Sequence, residues 1–249
     1  MAFYDLPKEE RAALAVKIEQ EIEREVDKNK LSKSLSYFSD EDTYIRKCAY
    51  LAIGRICKRT KNKELITALD KLLQSENEKV RQTTVNAAGE IGKFDFAIVQ
   101  HIFDTALFDE HHSVRNAVIG SMKKMGEVNP KPVLEWSKKY LHHQDKEIRR
   151  EICHGIELRG RTHPQDILPL LQELEFDKTA RVRNTLVHVL GQIAYKKGCL
   201  PTVITALKKW KNKELVTDAL EEIIDVHHRY RNFAVLTQDE ARAYIEKHI

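Results

Sequence analysis

The chain has 249 residues, with 42 Lys+Arg against 38 Asp+Glu, a formal charge of only +4, and this length suits one domain or one repeat array. Nine Gly, six Pro and 32% charged residues suit a helical protein. No stretch approaches the roughly 20 apolar residues of a membrane span, and the start, MAFYDLPKEERAAL, has no apolar run like a secretory signal, so a membrane protein is excluded and a soluble cytoplasmic one expected.

The four cysteines (Cys48, Cys57, Cys153, Cys199) have no C-x-x-C spacing, and three of them fall within helical patterns. They read as reduced, mostly buried thiols of a reducing compartment. No phosphate loop, nucleophile elbow or Cys/His triad signature is present. No metal and no small-molecule cofactor is therefore expected.

In chain order, residues 5–28 predict an N-terminal capping helix, DLPKEERAALAVKIEQEIEREV, started by Asp5 and Pro7. Six repeats follow over about residues 30–228. An aliphatic-Arg pair recurs at Ile45-Arg46, Val80-Arg81, Val114-Arg115, Ile148-Arg149 and Val182-Arg183, with the Arg residues spaced 35, 34, 34 and 34 apart. One further step reaches Val216-Thr217, where the Arg is lost, as suits the end of an array. With the Arg as position zero, positions −1, +3 and +7 are apolar in nearly every copy, which is a helical stripe. Gly92, Gly126, Gly160 and Ala194 at +11 suit helix ends. Asp40, Asp109 and Asp177 at −6 lie close to where an N-cap belongs. A first helix precedes each of these second helices, as in residues 62–74, 96–107 and 132–141, and Pro169 predicts a kink in one of them. Residues 229–249 predict a C-terminal cap whose Thr237 and Glu240 form a capping box.

Paired helices at a fixed period predict an all-α fold. The expected form is a right-handed α-solenoid of about six hairpins, capped at both ends, as a single domain over residues 1–249. The pattern D-x-x-x-x-V-R followed by small residues and Gly resembles HEAT repeats in their short form, SENEKVRQTTVNAAGEIG (75–92) most closely. The Trp-Leu-Gly-Tyr signature of tetratricopeptide repeats is absent.

The Arg column admits two readings, a nucleic-acid contact row or a structural ladder with the neighbouring Asp residues, and the ladder is expected. Positions +1, +5 and +9 form one helical face. In the middle repeats they read Gln82/Asn86/Glu90, Asn116/Gly120/Lys124, Arg150/His154/Leu158 and Asn184/His188/Gln192. An idle solvated face is usually rich in Lys and Glu, so Asn, Gln and His point to a binding surface, commonly the concave side of a solenoid. Successive repeats stand about 10 Å apart, which makes His154 and His188 neighbours yet too distant to share a metal. The stretch from Lys178 to Lys213 holds nine basic residues and no acid, while the rest of the chain holds more acid than base. Clustered Lys and Arg attract phosphate. Trp136 and Trp210 read either as core or as base-stacking surfaces.

The fourth repeat departs from its sisters. Position +2 is otherwise small and is Glu151 here; position +8 is Gly in three sisters and is Glu157 here. Arg159 and Arg161 follow in LRGRTHP. These residues read as an internal salt-bridge cluster of Glu151, Glu157, Arg150 and Arg159, or as a reactive carboxylate beside a cationic groove. His154 and Glu157, three residues apart, can touch.

The stretches EIRREICHGIELRGRTHP (147–164) and DKTARVRNTLVHVLGQIA (177–194) resemble the bacterial alkylation-repair DNA glycosylases built from HEAT-like repeats, the AlkC and AlkD types. The resemblance implies a basic inner surface that tracks the duplex backbone and an acidic residue that assists loss of an alkylated base. Glu151 or Glu157 would be that acid, with Arg150, Asn184, His188, Lys196 and Lys197 on the backbone. The aromatic set expected around a lesion is thin, since only two Trp are present and neither lies on the inner stripe. The expected function is a binding protein whose locally basic concave face holds duplex DNA through Asn116, Arg150, His154, Arg159, Arg161, Asn184, His188, Lys196 and Lys197. The alternatives are a non-catalytic scaffold for an acidic protein surface and, third, an alkylated-base glycosylase.

Overall fold

The computed structural model describes residues 3–26, 28, 30 and 32–249. Met1, Ala2, Asp27, Asn29 and Leu31, which the expected cap, repeat and domain ranges include, lie outside the described residues. Among the described residues the architecture is all-α, of solenoid type, with no strand. The chain divides into two compact units, residues 1–129 and 130–249.

In the first unit the helices are α1 (Lys8–Val26), α2 (Ser32–Phe38), α3 (Thr43–Thr60), α4 (Glu64–Leu73), α5 (Glu78–Gly92), α6 (Gln100–Ala106) and α7 (His112–Val128). The capping helix α1 packs on α3, α3 on α5 and α5 on α7, while α4 meets α6 in the layer of first helices. The second unit holds α8 (Pro130–Lys138), α9 (Lys146–Gly155), α10 (Glu157–Gly160), α11 (Pro164–Gln172), α12 (Ala180–Gln192), α13 (Cys199–Leu207), α14 (Lys213–Arg229) and α15 (Gln238–His248). There α9, α12 and α14 pack side by side, α11 packs on α13, and α15 closes on α13 and α14. The Thr237–Glu240 capping box starts α15.

The −1, +3, +7 stripe is the core. Val80, Thr84 and Ala88, then Val114, Val118 and Met122, then Ile148, Ile152 and Ile156, then Val182, Leu186 and Leu190 are all buried. Each fully buried Leu or Ile stabilises by about 1.5–3 kcal/mol. The last repeat differs, because Leu220 and Ile224 are only half-buried while Leu215, Ala219 and Ile223 are buried, so its apolar row is set back by one residue. Trp136 and Trp210 are core residues. Helix α11 runs on through Pro169. All four cysteines are free thiols, three of them buried, and burial pushes every one of their pKa values up. Among the described residues no helix is long and apolar enough to cross a membrane.

The Arg column is a structural ladder. Arg81 Nη1 donates to the carbonyls of Ser75 (2.9 Å) and Glu76 (3.0 Å). Arg115 repeats this on Asp109 (2.6 Å) and Glu110 (3.0 Å), and Arg149 on His143 (2.8 Å) and Gln144 (3.0 Å). Arg46 does the same on Asp40 and Glu41. One guanidinium therefore satisfies two carbonyls of the turn that leads into its helix. The remaining nitrogens reach the next repeat: Arg81 grips Asp109 at 2.7 and 3.0 Å, and Arg149 grips Asp177 at 2.6 and 3.2 Å. This revises the expected role of the Asp at −6. The caps sit at −4, as Asp42, Asn77, His111 and Asp145. The −6 carboxylate instead accepts the amide two residues on and receives the Arg of the preceding repeat.

Burial raises the carboxyl pKa of Asp177, but Arg149 and the Thr179 amide outweigh it, so the group titrates below its usual 3.8; Asp109 does likewise through Arg81 and the His111 amide. A depressed folded pKa gives stability that is complete above the unfolded value and lost as pH falls through the folded one. Urea denaturation of Asp177→Asn is expected to show a loss of about 2 kcal/mol at neutral pH. The gap to the parent chain should close as pH falls below 3.8; a gap unchanged down to acid pH contradicts the ladder's role.

Candidate functional site

The fourth repeat's second helix is interrupted at Ile156, between α9 and α10, whereas α3, α5, α7 and α12 run unbroken past +8. Three sister repeats carry Gly at the position that Glu157 fills. A Cβ on Gly54 would lie 2.6 Å from the Cβ of Glu90, one on Gly89 2.5 Å from the Oγ of Ser121, and one on Gly191 2.6 Å from the Cγ of Glu222. In those three repeats position +8 faces the next repeat at a spacing that leaves no room for a side chain, whereas repeat three carries Lys123 there inside the unbroken α7. In repeat four the break at Ile156 falls immediately before Glu157.

Glu157 is buried, with only 1% of its side chain exposed. Isolated burial of a carboxylate is costly, so its oxygens are matched. Arg161 donates to Oε1 through Nε (2.8 Å) and Nη2, and His154 Nε2 lies 3.1 Å from Oε2. Arg161 Nη2 also donates to Gln192 Oε1 on α12 at 2.8 Å. Gln192 is fully buried, and among the described residues its Nε2 has no hydrogen-bond partner. Glu151 is buried as well, and Arg150 Nη2 reaches its Oε1 at 3.3 Å. The expected single cluster is in fact three groups, because Arg150 reaches Glu151, Arg161 and His154 meet Glu157, and Arg159 pairs with Asp166 of α11 at 2.8 Å.

Outward from Glu157, Arg150, His154, Arg181, Asn184, Thr185 and His188 line one pocket of about 360 Å³ between α9 and α12. The two imidazoles meet edge to face, with ring centroids 6.1 Å apart. The nitrogen and oxygen donors of His154, Glu157 and His188 all lie within 4.8 Å of one another. The expectation that the two histidines stand too far apart to share a metal is therefore corrected. Repeat spacing measures helix axes, and two side chains leaning together close most of it. Glu222 of α14 lies 3.5 Å from His188 Nδ1 and is held in turn by Arg229.

Four of the expected ligand residues, Arg150, His154, Asn184 and His188, share this pocket, and Arg161 supports it from behind through Glu157. Asn116 is exposed on α7 in the other unit. Lys196 and Lys197 are exposed in the turn after α12, and Lys196 lines a separate cavity with Tyr195, Leu236 and Tyr244. The sequence reading missed Arg181 and Glu147. Glu147 receives Arg150 at 2.9 Å and Arg181 at 3.1 Å, and so spaces the two guanidiniums. Both missed residues stand at −2, one helical step before +1 and +5, and extending the stripe by one turn would have found them.

Removing Arg161 tests the buried pair. Arg161→Met is expected to cost about 3 kcal/mol in urea denaturation, because it strands a buried carboxylate. Adding Glu157→Gln should recover at least half of that loss; a double variant no more stable than the single one contradicts the pairing.

No family model matches the chain, and no curated protein matches it. Among solved structures it is similar to AlkD2 from Streptococcus mutans, with 17% identity over 81% of this chain and 97% of that one and a TM-score of 0.55. It is similar also to smu.31 from Streptococcus mutans UA159, with 18% identity over the same shares and a TM-score of 0.52. At these identities the likeness is one of fold, and the chain shares the helical-repeat fold of an AlkD-type protein.

Proposed function

We propose that the chain is a helical-repeat binding protein whose second unit holds the backbone of duplex DNA. The observation that carries this reading is the state of the basic stretch. Of its nine cationic side chains, only Arg183 is not exposed, and it is tied to Asp218 and Glu214. Lys178, Lys196, Lys197, Lys208, Lys209 and Lys211 are exposed and take part in no ion pair among the described residues. Six members of the stretch share one edge. Lys178 and Arg181 flank the start of α12, and Lys208, Lys209, Lys211 and Lys213 the start of α14. The turns that carry them lie side by side, because the buried Glu175 accepts the amides of Lys211 (2.6 Å) and Asn212 (3.0 Å). The pocket of Arg150, Asn184 and the two histidines opens beside this edge at the N-terminal half of α12. Lys196 and Lys197 sit at the opposite end of α12 and belong to a different face.

A positive edge beside polar donors suits phosphate contact without base readout. Binding rather than base removal is the reading for the two glutamates. Each is buried and engaged with a guanidinium, where the resemblance to the alkylation-repair glycosylases would assign an acid at the lesion. A second reading, a protein scaffold, is favoured by one feature of the first unit. There Ile66, Phe94 and Ile98 line an apolar groove of about 920 Å³ rimmed by Lys58, Lys61 and Lys63.

Fluorescence anisotropy with random duplex is expected to show affinity that falls linearly on a log–log plot against salt. The variant Lys178→Ala/Lys209→Ala/Lys211→Ala should bind at least about tenfold more weakly at low salt, with a slope smaller by roughly 0.9 for each phosphate that is no longer neutralised. Retention without salt dependence, or none at all, favours the scaffold. On methylated duplex the parent chain should release no base above the spontaneous rate. Release that Glu157→Gln or Glu151→Gln abolishes contradicts the binding-only reading.

A further inference from the structure

We propose that His154, Glu157 and His188 form a site for one divalent transition-metal ion of the zinc class, independent of whether the chain binds DNA. Three observations meet there. The donors are two imidazole nitrogens and one carboxylate oxygen, all within 4.8 Å of one another. That set is one zinc takes in catalytic sites, whereas Mg²⁺ and Ca²⁺ prefer oxygen alone. Two of the donors already stand at metal-site spacing: His154 Nε2 and Glu157 Oε2 are 3.1 Å apart, against roughly 3.3 Å for two ligands of a tetrahedral zinc. The remaining closure falls to His188, whose side chain is 42% exposed and can turn without disturbing the core.

The surroundings supply the outer partners that a metal site needs. Arg161 holds Oε1 of Glu157 and leaves Oε2 as the ligand atom. Glu222 lies 3.5 Å from His188 Nδ1, so the ring can donate Nδ1–H to a carboxylate while Nε2 binds the metal. A ligating histidine whose other nitrogen faces a carboxylate is the usual arrangement. Binding takes His154 as its Nδ1–H tautomer, so that the Nε2 lone pair, 3.1 Å from Glu157 Oε2, faces the ion and the ring stays neutral. The fourth position opens on the pocket lined by Arg150, Arg181, Asn184 and Thr185, where water or an anionic oxygen fits. The sequence departures also coincide. His stands at +5 in repeats four and five alone, and Glu at +8 in repeat four alone.

The test uses the full chain stripped by a chelator and titrated with Co²⁺, read by visible d–d absorption, and with Zn²⁺, read by calorimetry. One equivalent per chain is expected, with the intensity of four- or five-coordinate cobalt and no near-ultraviolet thiolate band. His154→Ala, His188→Ala and Glu157→Gln should each weaken binding at least about tenfold. The control His142→Ala/His143→Ala should leave it unchanged. His188→Ala removes a half-exposed side chain, so its helical circular dichroism should match the parent and its result stands even if the Glu157 variant unfolds. Absence of a one-equivalent phase, equal affinity in His188→Ala, or a thiolate band placing the ion on cysteine overturns the proposal.

Discussion

A buried carboxylate at a position where three sister repeats have no room for a side chain is the constraint on which the rest of the site depends. Gly54, Gly89 and Gly191 let adjacent second helices close to a distance that a single Cβ would violate. Glu157 occupies that position in the fourth repeat. It follows directly on the turn at Ile156, Arg161 and His154 meet its two oxygens, and His154 joins it to the pocket between α9 and α12. Desolvation of such a group costs several kcal/mol unless it is matched. The matching residues therefore answer Glu157, which meets the His154 ring, while Glu222 stands beside that of His188.

The Arg ladder is what lets one departure have a local effect. Each guanidinium at position zero from Arg46 to Arg149 fastens two carbonyls of its own turn, and Arg81 and Arg149 also grip a carboxylate of the next repeat. Where each of these second helices begins is thereby fixed by polar bonds, separately from how its middle packs. The fourth repeat can open at Ile156 while Arg149 and Asp177 still hold its start in register with the fifth. Function is then free to vary along −2, +1, +5 and +8 without loss of the stack.

The repeat architecture was legible because it is written as a period, and both the apolar stripe and the Arg column are periodic. What escaped was whatever depends on partners. Asp109 and Asp177 look like caps because Asp is a good cap, yet the cap belongs two residues later and the carboxylate answers an Arg 28 residues upstream. The last repeat's row is set back by one residue because α15 adds a packing surface that no internal repeat meets. His154 and His188 share a face, as the periodicity predicts, but helix spacing omits the side-chain reach that brings their rings together. Lys196 and Lys197 adjoin the site in sequence but not in space, while Arg181 and Glu147 stand one turn before the first position of the polar stripe. In Glu157 the anomaly was visible from the sister glycines, though not its burial or the helix break beside it.

The most direct measurement is a crystal structure of Glu157→Gly, which restores the residue of the sister repeats. If the carboxylate opens the helix and organises the pocket, residues 146–160 become one continuous helix, α9 closes on α12, and Arg161 and His154 leave their present positions. If the turn at Ile156 and the facing of His154 on His188 persist without the carboxylate, Glu157 is a passenger and the site has another origin.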